Sequence, residues 1–229
     1  MHTPRNYPCH VHTPVTGIFY QTNWSLKPMT LYLHVAAHTD VCRHFSELNL
    51  AQRRVALREY AHAWLRCCMG LPVGADLRLG HNAHGKPYLL DSPEWQFNLS
   101  HSKHHLAIVC GHTPHSLGID IESYPRTIRP AVAEASLSAT EFAHYQQAAE
   151  PLRYWLQVWT LKEALLKAAG VGIQQDLRLL DTGFDGSETQ GSIVWQQQAY
   201  AHLSLSHAHY QCALAWQSAA PLPELTYLP

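Results

Sequence analysis

Asp120 and Glu122, in the stretch "LGIDIE" (117–122), are two carboxylates spaced two residues apart. Alternate side chains of a strand share a face, so both acids stand on one side while Ile119 and Ile121 point to the other. A third carboxylate lies in "WTLKEALLKAAG" (159–170). There Trp159, Glu163 and Lys167 recur every four positions and line one helical face, while Leu161, Ala164, Leu165 and Ala168 form another. Lys162 adjoins Glu163 in the chain. If the three acids converge they make a hard, all-oxygen site suited to Mg2+ or Mn2+, and lysines beside it suit phosphate oxygens bridged by the metal. Taken singly, each has a plainer use: acids on the wet face of an edge strand, and one i,i+4 Glu–Lys pair worth about 0.2–0.5 kcal/mol.

Further cations precede these acids. Arg54, Arg58 and Arg66 lie on one side of the stretch 51–68, Lys86 and Pro87 sit in the turn "HGKP", and Ser100–His101 falls in "NLSHS". A serine and an adjacent histidine at a strand end can both donate to a phosphate when the imidazole is protonated. With 18 histidines in the chain, His101 alone carries little weight.

The elements that must position these residues follow from periodicity. "LYLHVAA" (31–37) alternates as a strand, and 51–68 places Val55, Leu57, Tyr60, Ala61, Trp64, Leu65 and Cys68 at helical spacing. "FNLSHSKHHLAIVCG" reads as strands, and a second amphipathic helix over 151–170 ends at Gly170, where a C-cap glycine belongs. Ser138 and Glu141 in "LSATEF" fit a capping box. "DLRL" at 76–79 returns at 176–179, and "LSHSKHHLAIVCG" (99–111) is echoed by "LSLSHAHYQCALAW" (203–216), each after a long helix. These ordered matches predict a duplication, with one helix and one small antiparallel sheet per half. The expected division is a loose tail over 1–16, a first half over 17–113, a second half over 114–217 and a C-terminal tail over 218–229. The joint near 111–118 puts "GIDIE" beside the seam, and ligands favour such interfaces.

Composition sets limits on partner and compartment. The 229 residues are 46% apolar and only 14% charged, against roughly 25% charged in ordinary soluble domains. A net charge of -1 gives no general attraction to nucleic acid or an anionic membrane, so any anion site is local. No run approaches the roughly 20 apolar residues of a membrane span, and the prolines near the start oppose a signal helix. Six cysteines without a Cys-x-x-Cys pair fit reduced thiols and a cytoplasmic protein.

"HGKPYL" (84–89), "FNLSHS" (97–102), "LGIDIE" and "WTLKEALLKAAG", in this order and spacing, resemble the Sfp-type 4'-phosphopantetheinyl transferases over roughly residues 45–217. The resemblance implies an α/β (α+β) fold of two similar halves about a pseudo-twofold axis, working as a monomer. It also implies an enzyme that moves the phosphopantetheine arm of coenzyme A onto a serine of an acyl or peptidyl carrier protein, with Mg2+ bridging the pyrophosphate. Matched motif by motif, Asp120, Glu122 and Glu163 would hold the metal, and Glu163, Lys167 and Asp120 would carry the catalysis. Lys167 and Lys162 would meet the pyrophosphate, Ser100 and His101 the 3'-phosphate region, and Lys86–Pro87 the adenine side. Arg54 and Arg66 would add 3'-phosphate contacts with Arg58 beside them, although the basic helix matches less cleanly. Glu141 resembles an acid of the family, but its capping box is the preferred use. Residues 112–130 and 138–150 would form much of the carrier-docking surface. Two rival readings use the same residues: a Mg2+-dependent phosphohydrolase, and a coenzyme A-binding module without catalysis.

Overall fold

A computed structural model describes residues 30–172, 176–218 and 225–227, so the expected tail over 1–16 lies outside the described residues. The elements run β1 (Leu31–Ala37), α1 (His38–Val41), α2 (Leu50–Cys68), β2 (Leu79–His81), β3 (Pro87–Leu89), β4 (Trp95–His101), β5 (His105–His112) and β6 (Leu117–Ser123). They continue as α3 (Pro130–Ser136), α4 (Ala139–Gln147), α5 (Pro151–Ala169), β7 (Gln190–Trp195), β8 (Gln198–Ser206), β9 (Tyr210–Trp216) and β10 (Leu225–Tyr227).

The two long helices form where the apolar spacing places them, and their ends carry matching signals. The Asn49 side chain accepts from the Gln52 amide, and the Gln52 side chain accepts in return from the Asn49 amide, closing a capping box at the start of α2. Proline occupies the first position of α5, where its missing N–H costs nothing, and Gly170 ends the helix in the left-handed conformation at φ 72°.

Each helix serves one four-stranded sheet. The first sheet runs β10-β1-β5-β4 and the second β6-β9-β8-β7, so that strand, helix and hairpin recur with the same connectivity: β1 pairs β5 as β6 pairs β9. The hairpins match in register as well, closing at His101–Leu106 in one and Ser206–Gln211 in the other. The "DLRL" stretches do not correspond, since Leu79 opens β2 whereas 177–179 is a turn of 3-10 helix. The expected C-terminal tail supplies β10, which returns to the first sheet and lies parallel to β1.

Alternation decides what each sheet face meets. Ile119 and Ile121 face a cluster that joins the sheets, with Leu31 and Leu33 from β1 and Leu214 and Trp216 from β9. The intervening positions of β6 face α5. A Cβ on Gly118 would lie 2.0 Å from the Ala164 carbonyl oxygen, so α5 rests directly on the backbone of this strand and glycine is required there. That contact brings the helix bearing Glu163 and Lys167 down onto the strand bearing Asp120 and Glu122. Separate apolar clusters lie under α2, around Tyr60, Trp64 and Leu65, and under α5, around Trp155, Leu161 and Leu165. Among the described residues, no helix is long and apolar enough to cross a membrane.

Candidate active site at the seam of the two sheets

Asp120 is buried, and its Oδ1 accepts from the Ser100 hydroxyl at 2.8 Å and from the Lys167 ammonium at 2.7 Å. Lys167 also donates to Ser100 Oγ at 2.9 Å and to the Ile119 carbonyl at 3.1 Å. One residue from each of β4, β6 and α5 thus meets at a single point. Register helps hold it: the Ile119 amide donates to Asn98 Oδ1 at 2.8 Å, pinning β6 against β4.

Glu163 stands beside this triad. Burial, then the charges of Asp120 and Glu122, push its carboxyl up to about 7, with Lys167 opposing them. Asp120 Oδ2 and Glu163 Oε1 are both buried without a hydrogen-bond partner. Two such oxygens are costly to leave bare, and an electropositive ligand would relieve them. Glu122 is raised by burial and by Asp120, while Arg126, with which it forms an ion pair, opposes the shift. With Lys167 on Asp120 and Arg126 on Glu122, no group of three or more His, Cys, Asp or Glu side chains is gathered as a metal-binding set among the described residues. The hard-oxygen chemistry of Asp120 and Glu163 fits a Mg2+-like ion, whereas the third expected ligand is engaged elsewhere.

The other expected residues divide. His101 is at the exposed rim, where partial removal from water, then Lys167 and Arg54, hold its imidazole below the ordinary range; it therefore lies within electrostatic reach of both cations. Arg54 is exposed, Arg58 pairs with Glu59 at 3.4 Å, and Arg66 donates through Nε to the Ala75 carbonyl at 2.6 Å. Pro87 pairs with His81 in the β2–β3 hairpin. Lys86 turns toward the second half, donating to Ser116 Oγ, the Leu117 carbonyl and the Ala168 carbonyl at 2.7, 2.8 and 3.3 Å. Asn82 Nδ2 donates to the Gly170 carbonyl at 2.9 Å. The "HGKP" turn thereby caps the end of α5 from the other half, satisfying carbonyls that the helix leaves open.

Lys162 corrects the sequence reading. Its side chain is fully buried, paired with Glu141 at 2.5 Å, and donates to the Ser136 and Leu177 carbonyls at 2.8 Å each. Five residues from Lys167, it is turned well away from that residue around the helix and cannot share its face. Glu141 closes the capping box with Ser138 and also accepts from the Thr182 hydroxyl at 2.7 Å. Two features of the site escaped the sequence. Arg126 lies in a loop without periodicity, and the Lys86–Asn82 cap is a contact between halves that no local pattern encodes.

Comparison with known proteins identifies a family. The family described as the 4'-phosphopantetheinyl transferase superfamily matches residues 116–215, which span β6, α5 and β9. A 4'-phosphopantetheinyl transferase of Bacillus subtilis is 35% identical over 157 residues, covering 65% of this chain and 67% of that protein. Sfp of Bacillus subtilis strain 168 is 30% identical over 105 residues, 45% of this chain and 46% of its own length. A relative from Aneurinibacillus migulanus is 30% identical over 118 residues, 51% and 46%. The matches thus span two thirds of one relative and under half of the other two. A matched region that contains both acid strand and acid helix, together with the two-thirds alignment, places the chain in the Sfp-type 4'-phosphopantetheinyl transferase family.

Proposed function

We propose that the chain transfers the 4'-phosphopantetheine group of coenzyme A to a serine hydroxyl of an acyl or peptidyl carrier protein, releasing adenosine 3',5'-bisphosphate. The observation that carries this reading is the pair of bare, buried carboxylate oxygens, Asp120 Oδ2 and Glu163 Oε1, beside the Lys167 ammonium.

The chain's own groups divide the work. Glu163 accepts the serine proton, directly or through a water, as the hydroxyl oxygen bonds to the β-phosphorus of coenzyme A. The bond from that phosphorus to the bridging oxygen breaks, and its electron pair leaves with the adenosine bisphosphate. Lys167 supplies a fixed positive charge next to the oxygens on which charge develops, and Ser100 and Ile119 hold it there. Arg54 and His101, at the rim, are the groups for the 3'-phosphate. Asp120, Glu163 and, once freed from Arg126, Glu122 would hold the divalent cation. That ion, when bound, neutralises pyrophosphate charge and aligns the reacting oxygens. The protein acts as a monomer, since both sides of the seam come from one chain, and its free cysteines among the described residues fit the cytoplasm.

Incubating apo-carrier proteins with the protein, coenzyme A and Mg2+, followed by intact-mass spectrometry, tests the reading. A phosphopantetheine-sized mass gain on the carrier, with stoichiometric adenosine 3',5'-bisphosphate, is expected. Hydrolysis of coenzyme A without carrier modification would establish a phosphohydrolase instead, and binding without turnover a coenzyme A-binding module.

A further inference from the structure

Arg126 sits in the segment between β6 and α3, with its side chain about one third exposed and its guanidinium ion-paired to Glu122. The same guanidinium lies 5.6 Å from the centroid of the Trp155 ring. Trp155 is fully buried, stacked on Trp159 at 5.1 Å, and anchored by its indole N–H to Ser136 Oγ at 2.8 Å. Arg126 therefore occupies a built seat, with an aromatic face on one side and a half-desolvated carboxylate on the other. Of the three acids near the seam, Asp120 has Lys167 and Glu122 has Arg126, while Glu163 pairs with neither. The guanidinium thus engages the carboxylate that a divalent cation held by Asp120 and Glu163 would need as its third ligand.

We propose that Arg126 is a built-in competitor for the metal: it neutralises Glu122 when no divalent cation is bound and must be displaced from that carboxylate for a tight three-carboxylate site to form. This rests on the proposed metal site, and it assigns to Arg126 control of how strongly the free protein holds the ion. The arrangement balances charge before a cation binds, when an uncompensated Glu122 beside Asp120 would be repelled. Its consequence is that the intrinsic affinity of the acids is lowered in the absence of substrate. A loop cation can leave Glu122 without unfolding anything, because Trp155 and Glu122 are held by α5 and β6 and not by Arg126.

The test measures Mn2+ binding to the free protein, without coenzyme A or carrier, by the electron paramagnetic resonance signal of unbound Mn2+. Arg126→Gln removes the competing charge and is expected to bind Mn2+ about tenfold more tightly than the unaltered protein. Arg126→Lys keeps a charge and should stay within about threefold of the unaltered protein. Tryptophan emission provides a second readout: Mn2+ or Mg2+ should change it in the unaltered protein as the guanidinium leaves Trp155, and the change should be reduced in Arg126→Gln. A thermal midpoint for Arg126→Gln close to that of the unaltered protein confirms that both are folded. Equal or weaker Mn2+ binding by folded Arg126→Gln overturns the role of Arg126 alone. No Mn2+ binding by any of the three proteins overturns the metal site and this role with it.

Discussion

The same place in the two sheets is filled by His34 in one and by Asp120 in the other. His34 pairs across its ladder with Ile108, two residues beyond the hairpin-closing Leu106, and Asp120 pairs with Ala213, two beyond the hairpin-closing Gln211. His34 is buried, hydrogen-bonds the Tyr60 hydroxyl at 2.8 Å and lies against the rings of Tyr60 and Trp64. Asp120 keeps one carboxylate oxygen without a partner. The helices diverge in the same way: position for position from their first residues, α2 carries His62 and Arg66 where α5 carries Glu163 and Lys167. At the matching positions the first sheet is closed by packing, and the second leaves a carboxylate oxygen unpartnered. Yet the second needs the other half, because Ser100 on β4 completes the cradle around Asp120 and Lys167.

The sharpest way to break this comparison is to alter the paired positions. Asp120→Ala should lower the transfer rate by about 10²–10³, well beyond what its cost in thermal midpoint explains, since it removes a group that acts on developing charge as well as the partner of Ser100 and Lys167. His34→Ala should do the reverse, lowering the midpoint with near-normal transfer by the folded fraction. Swapped phenotypes, measured by carrier mass spectrometry and calorimetry, would sink the distinction.

The next effect separates structural from chemical charge within the second half. Lys162→Ala leaves Glu141 buried and unpaired, and a stability loss of about 3–5 kcal/mol is expected. For a chain of this size that is a fall in midpoint of roughly 10 °C or more. Lys162→Met combined with Glu141→Leu should recover much of the loss; a double variant no better than the single would show that the pair is required for more than mutual neutralisation.

Acid should strike the packed half through its histidines. His38 lies in the first half with both ring nitrogens buried; burial, then neighbouring His101, His105 and His104, hold it down to about 4 against a contact with the His105 backbone. The fold therefore rejects a proton that the unfolded chain takes up near 6.5. The stability is intact above 6.5 and is lost as pH falls from there toward 4, by at most about 3 kcal/mol for this group. In the second half His202 of β8 is lowered by burial in the same sense, so part of the acid sensitivity lies there. Denaturation midpoints between pH 7 and 5 should fall, and His38→Phe, placed against Phe45, should flatten part of that slope; an unchanged slope would remove His38 from the account.

The smallest expected effect concerns the joint. Lys86→Met removes three hydrogen bonds that cross between halves, and a loss of about 1.5–3 kcal/mol should appear in the midpoint together with weaker coenzyme A binding. Weaker binding at full stability would return Lys86 to a purely ligand-facing role.

Much of this architecture was legible in the residues because it is periodic. The strand at 31–37, both long helices, the Ser138–Glu141 box and the Gly170 cap follow from spacing and end signals. The opposed faces of "GIDIE" followed from the two-residue repeat, with Ile119 and Ile121 in the core. For Lys162 the motif match misled where helical spacing did not, since five residues from Lys167 it falls on another face. Lys162 adjoins Glu163 in sequence and yet points into the protein among Ser136, Glu141 and Leu177. Nor could composition reveal that Arg126 would find Glu122, or that Lys86 would be drawn from a ligand toward the carbonyls of another element. Such contacts depend on how distant segments are brought together.

The parallel pairing of β10 with β1 also sets an order of events during synthesis. Among the described segments β1 comes first and β10 last, so β1 lacks its β10 partner while the segments between them are made. An open edge with β1's apolar sequence is a template for pairing with other nascent chains. The few residues of β10 pair with that edge, which makes this late segment a guard for a strand made much earlier.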